Sequence, residues 1–218
     1  MSRGYIFVDG SRLFASINDI WRANPEFRGR RLKLDALSAQ FGQEVGQHLA
    51  EHVRTTYYFK KGDVRIQELL SVPDATQPGG RDHWQIEECG VGVATIPQEQ
   101  LLKLDEPYRD VYPRGEKGLD MRIACDALSM IANGRVENMA FLVNDRDYVP
   151  LFQAIQRLGG NVYLIGLDKA QKPHEQLAGL ADKYFTFEQH REHLFERQVT
   201  ITSRAPQVEV VAQAETGK

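Results

Sequence analysis

The chain has only two cysteines in 218 residues, Cys89 and Cys125. Two thiols so far apart build no disulfide framework, and they lack the paired spacing of a thiolate metal site. No apolar run approaches the roughly 20 residues needed to span a bilayer, so no membrane partner is expected. The six histidines share no spacing and receive no role. No glycine-rich fingerprint of the dinucleotide or P-loop type follows a strand, which removes those nucleotide-binding classes. Basic charge is also short: the formal net charge is -3 and the pI about 6.1. That balance argues against a surface coated with cations for gripping nucleic acid, while leaving room for a local basic groove. A strand starting near Tyr5 leaves no space for a secretory leader, and a reducing cytoplasm is the expected compartment.

What is present suits one soluble α/β domain: 42% hydrophobic and 26% charged residues in a length sufficient for a good core. Tyr5-Ile6-Phe7-Val8 is a continuous apolar run closed by Asp9-Gly10, the pattern of a buried parallel strand. Helical spacing follows over 11–21 and 34–45, then a strand over 52–59 and a helix over 64–72. Residues 73–82 form a Pro- and Gly-rich loop, 84–88 close the crossover, and 91–96 supply the third strand. The clearest helix covers 118–133, with Ile123, Ala124, Ala127, Leu128 and Ile131 as its stripe and Gly134 as its stop. Strands over 139–143 and 162–165 flank a helix over 148–158. A last helix covers 174–183, and 184–187 add an edge strand. The alternation predicts a Rossmann-like three-layer α/β domain with a mainly parallel sheet. Residues 198–218 are polar, lack a stripe and are expected to form a loose tail.

Ligands of open parallel sheets bind beyond the carboxyl ends of the strands. Asp9 and Asp145 follow two such strands, and Asp147 shares the exit loop of the second. Asp120 heads the apolar stripe of the strongest helix and is expected to face the sheet. Each acid alone has a structural explanation as a turn former, helix cap or first-turn charge. Four carboxylates aimed at one crevice repel each other, so either their pKa values rise or a cation is present. Oxygen-only ligands favour Mg²⁺ or Mn²⁺, which activates water and stabilises charge on a phosphoryl group. Asp126 falls off the inward stripe and is assigned to the surface.

Three blocks of sequence now carry a resemblance. Tyr5-Ile-Phe-Val-Asp-Gly-Ser-Arg12 resembles the opening strand of the NYN branch of PIN-like nucleases. Lys117-Gly-Leu-Asp120 is similar to that family's helix start, and Phe141-Leu-Val-Asn-Asp-Arg-Asp-Tyr-Val-Pro150 to its strand ending in paired aspartates. The resemblance covers roughly 5–187. It implies a PIN-like domain over 1–197, followed by the tail, and a divalent-metal-dependent endoribonuclease. Carried over by position, Asp9, Asp120, Asp145 and Asp147 form the catalytic and metal-binding set. Ser11, Arg12, Lys117 and Arg146 sit with the substrate. Two departures stand out: Arg12 occupies a position often held by asparagine, and Asn144 and Arg146 flank the paired acids in place of glycine and serine. Arg12 either clamps a phosphate or fills the metal's place with its own charge.

Cations surround these acids. Arg22, Arg28, Arg30, Arg31 and Lys33 follow the first helix, Lys60 and Lys61 the second strand, and Arg114 and Lys117 precede Asp120. Such a rim suits RNA, single-stranded in preference to duplex, with Tyr57, Tyr58, Trp84 or Tyr112 as stacking candidates. The competing readings are a non-catalytic RNA- or protein-binding module of the same fold and a hydrolase of small phosphoesters. A monomer and a homodimer are both open.

Overall fold

The computed structural model describes residues 3–49, 53–72, 83–89, 91–92 and 116–196. Six parallel strands form the central sheet: β1 (Gly4–Asp9), β3 (Val53–Lys60), β5 (Trp84–Cys89), β8 (Asn138–Leu142), β9 (Asn161–Gly166) and β10 (Lys183–Thr186). Their order across the sheet is β10-β9-β8-β1-β3-β5. Chain order therefore reverses at β1, which pairs with β3 on one side and β8 on the other. That is the switch point at which open parallel sheets leave a crevice.

β1 is buried along its whole length, and its alternation feeds two cores. Ile6 and Val8 pack with Leu13, Phe14 and Ile17 of α1 (Gly10–Ala23) and with Leu37 and Phe41 of α2 (Leu34–Glu44). Tyr5 and Phe7 face the other way, against Ile123 and Ala127 of the helix Leu119–Ala132 and Phe152 and Ile155 of the helix Val149–Arg157. These two helices lie beyond α3 (Gly46–Leu49) and α4 (Arg65–Leu69), and are α5 and α6. Helices thus cover both faces, giving the three-layer α/β arrangement. On the second face the rings of Phe7 and Phe141 stack at 4.9 Å between centroids, and Phe141 meets Phe152 at 5.0 Å.

Several expectations need correction. The third strand of the main sheet is Trp84–Cys89, not 91–96. Of the latter only β6 (Val91–Gly92) is described, and it pairs antiparallel with β7 (Glu116–Lys117). Trp84–Cys89 is the last strand of the described sheet, with Trp84 buried and Gln85 and Ile86 half-buried. The helix expected over 64–72 stops at Leu69, where β4 (Leu70–Ser71) pairs with β2 (Leu32–Lys33). Finally, Tyr57, Tyr58 and Trp84 are at most 4% exposed and belong to the core, so none is available to stack on a base. Tyr112, Arg114 and the tail over 198–218 lie outside the described residues.

The helix expected over 174–183 shortens to α7 (Glu175–Leu180). Beyond β10, α8 (Arg191–Leu194) returns the chain to the segment before β2. There Arg31 grips Glu196 through two hydrogen bonds of 3.0 Å, and Glu196 N–H donates to the Arg31 carbonyl at 2.9 Å.

Candidate active site at the carboxyl edge of the sheet

Asp9 is both the last residue of β1 and the N-cap of α1, where its Oδ1 accepts the Arg12 N–H at 3.0 Å. The turn between the two elements requires Gly10. A Cβ there would stand 2.2 Å from the Phe59 ring and 2.5 Å from the Tyr58 carbonyl of β3. The Asp-Gly pair therefore records a close approach of backbones, which holds the Asp9 carboxylate against the sheet edge.

Asp145 follows β8, the neighbouring strand. It caps a single 3-10 turn, Arg146–Tyr148, by accepting the Asp147 N–H at 3.0 Å. That turn swings Tyr148 inward. Its hydroxyl is 2.7 Å from Asp120 Oδ1 and 3.2 Å from Asp9 Oδ2, while the ring is only 2% exposed. Asp120 stands in the first turn of α5, where a negative charge also suits the helix dipole. Tyr148 thus joins acids from two elements that meet only in the fold. Burial, then the charges of Asp9 and Asp120, push the phenol far above its usual pKa, so it remains a neutral donor.

A cleft of about 450 Å³ opens beside this bridge, lined by Asp9, Arg12, Asn144, Asp145, Arg146 and His174. Two guanidiniums and two carboxylates therefore share one opening. His174 was not anticipated. Its backbone N–H donates to Asn144 Oδ1 at 2.6 Å, and its Nδ1 accepts the Gln176 N–H at 3.3 Å. With Nδ1 used as an acceptor, the neutral ring carries its hydrogen on Nε2. The only sequence signal was an Asn directly before Asp145. Its role depends on a partner 30 residues away.

The remaining candidates divide. Ser11 is half-buried next to the Asp9–Gly10 turn. Asp147 and Arg146 are exposed, and Asp147 is not among the cleft-lining residues. Asp120 is exposed as a whole residue although Tyr148 holds one of its oxygens; the expectation that it turns fully to the sheet is too strong. The side chain of Lys117 lies outside the described residues. Asp126 accepts bonds from Tyr58 and Arg122 at 3.1 and 3.0 Å, a structural role between β3 and α5.

Among the described residues no three His, Cys, Asp or Glu side chains stand close enough together to enclose an ion. The donor chemistry nevertheless fits a hard cation. One phenolic hydrogen lies between the carboxylates of Asp9 and Asp120, and it serves only one of them at full strength. Both carboxylates offer oxygen donors, the kind that Mg²⁺ or Mn²⁺ takes.

Parallel strands, helices on both faces and acids at the switch point define a PIN-like domain. The NYN domain family matches residues 3–189, and the chain belongs to this family of PIN-like nucleases. Its members' character is nuclease-like and RNA-related. No curated protein matches the chain. Among solved structures, a crystal structure of Acinetobacter baumannii MurG is similar at 14% identity and a TM-score of 0.37, covering 84% of this chain. The chain spans 41% of that protein's length. Among the described residues no helix is long and apolar enough to cross a membrane.

Proposed function

We propose that this protein is a divalent-metal-dependent endoribonuclease that cleaves phosphodiester bonds of single-stranded RNA. The observation that carries this reading is the Tyr148 hydroxyl joining Asp9 to Asp120 beside a cleft that also holds Asp145, Arg12 and Arg146. Asp9 and Asp120, with Asp145 and Asp147 at the same edge, would supply oxygen ligands to Mg²⁺ or Mn²⁺, and water would complete the coordination. When bound, such an ion lowers the pKa of water and neutralises charge on the phosphoryl group.

The chain's own residues supply the rest. Arg12 and Arg146 present planar guanidiniums that bind a phosphate's oxygens bidentately and orient the scissile bond. The His174 Nε2–H is a third donor, aimed by the Asn144 and Gln176 contacts and able to bond an oxygen on which charge develops. Tyr148 fixes the spacing of Asp9 and Asp120.

The test is cleavage of a mixed panel of RNA and DNA oligonucleotides, with Mn²⁺ or Mg²⁺ and with EDTA. Asp145→Asn is expected to abolish metal-dependent cleavage of single-stranded RNA while the fold persists. Equal activity of the variant would refute the assignment. One observation favours a second reading, a binding module without hydrolysis: a permanently charged Arg12 stands in the same cleft as the acids. That reading predicts RNA binding without cleavage under any divalent ion.

A further inference from the structure

Among the described residues another cavity lies at the C-terminal end of α1. It measures about 430 Å³ and is lined by Asn18, Trp21, Arg22, Pro25 and Arg28. This lies within the roughly 300–1,000 Å³ range of small-ligand pockets and is large enough for one nucleotide. Trp21 is half-buried, and its Nε1 is enclosed without a hydrogen-bond partner among the described residues. What Trp21 offers the pocket it lines is the part of its ring left open, an aromatic surface on which a base can stack.

The fold also sorts the basic stretch. Arg30 is paired with Glu192 and lies over the Phe27 ring, and Arg31 is held by Glu196. Both are committed to the returning C-terminal segment. Arg22 and Arg28 are exposed at the pocket. Among the described residues Arg22 meets Asp19 alone, at 3.5 Å, across an ion pair whose side chains are 82% and 45% exposed. Such a pair contributes little and yields to a phosphate.

The pocket and the acidic cleft are the two ends of one helix. Ser11, Ala15, Asn18 and Arg22 recur at i, i+4, i+7 and i+11 along the outward face of α1. Trp21 lies twelve residues past Asp9, which at 1.5 Å per residue is roughly 18 Å along the axis. Strands bound in footprints of about 4–16 nucleotides cover such a span. The face between carries no bulky apolar residue, and its only acid is Asp19.

We infer that this pocket anchors a nucleotide of a single-stranded RNA whose scissile phosphate lies at the Asp9 cleft, with the strand laid along α1. Arg22 and Arg28 bind its phosphates, and a base stacks on the open part of the Trp21 ring. The inference rests on the ribonuclease reading for the position of the scissile bond, but not for the binding itself.

The protein is titrated with fluorescein-labelled 14-nucleotide poly(U) in EDTA, where no metal-dependent cleavage proceeds, over a range of salt. Arg22→Ala/Arg28→Ala is expected to weaken binding by about tenfold or more. It is also expected to flatten the plot of log affinity against log salt by about 1.4, for two lost contacts to a single strand. Trp84 is 4% exposed, so RNA-induced quenching of tryptophan fluorescence reports Trp21 and disappears in Trp21→Phe. Both arginines are exposed, so the double variant's melting temperature is expected to match wild type. Equal affinity and salt slope in the two proteins overturn the pocket, whatever other class of partner it takes, and so does failure of wild type to bind the 14-mer. A parallel reaction with Mn²⁺ separates the two ideas. Cleavage with unaltered binding in the double variant discards the pocket and keeps the nuclease. Pocket-dependent binding without cleavage discards the nuclease and keeps the pocket.

Discussion

Replacing Tyr148 with phenylalanine keeps the buried ring and removes one oxygen, the atom between Asp9 and Asp120. The ring is 2% exposed, so its packing against the second core is conserved and the change isolates the hydroxyl. Its bond to Asp120 is 2.7 Å and to Asp9 3.2 Å, both to acids that carry charge when ionised. A hydrogen bond to a charged group contributes about 1.5–3 kcal/mol. In a domain of this size each kcal/mol moves Tm by roughly 2–4 °C, so Tyr148→Phe is expected to melt roughly 3–12 °C below wild type in EDTA. Without the phenolic hydrogen, the two carboxylates depend more on a cation. The Tm increase on adding Mn²⁺ is therefore expected to be larger in the variant than in wild type. Scanning calorimetry with and without the ion reads both quantities. An unchanged Tm in EDTA, or a smaller metal-induced increase, would refute the view that the phenol compensates charge at this edge.

Three further outcomes follow from the same geometry. Gly10→Ala forces a Cβ to within 2.5 Å of the Tyr58 backbone, an overpacking of about 1–3 kcal/mol or more, and thermal melting is expected to show that loss. His174→Ala removes one donor to a developing charge, so kcat/KM on RNA is expected to fall roughly 10- to 100-fold, while loss of the Nδ1 cap of α7 costs about 0.5–2 kcal/mol of stability; unaltered kinetics would remove His174 from the reaction. The phenols of Tyr57 and Tyr58 are raised above their usual pKa, in both cases chiefly by burial. In the unfolded chain they ionise near pH 10 and in the folded protein they stay neutral. Their contribution is thus complete below pH 10 and is lost as pH rises beyond it, by about 1.4 kcal/mol per pH unit for each. Urea unfolding at pH 9, 10 and 11 measures the slope, and a flat profile would count against their burial.

The local elements were largely readable from the chain. The continuous apolar run before Asp9 and the stripe of Ile123, Ala127 and Ile131 both place their residues in the core, because strand and helix periodicity act over a few neighbouring residues. Errors fell where periodicity was weak. Trp84–Cys89 alternates too briefly to declare itself, and Tyr57 and Tyr58 look equally suited to a core or a surface until the neighbours of β3 are known.

The sequence by itself determined that acids would stand at the carboxyl ends of buried strands, since a strand's end and the turn residues that follow it are local properties. Only the tertiary structure decided which acids meet. The Tyr148 hydroxyl reaches Asp9 across 139 positions of chain, and His174 comes to the cleft through an asparagine 30 positions earlier. The same holds for the arginines, of which Arg31 is bound by Glu196 while Arg22 and Arg28 face a pocket. Contacts of that kind depend on strand order and helix packing, which are set by the burial of whole faces and leave no periodic trace in the residues that use them.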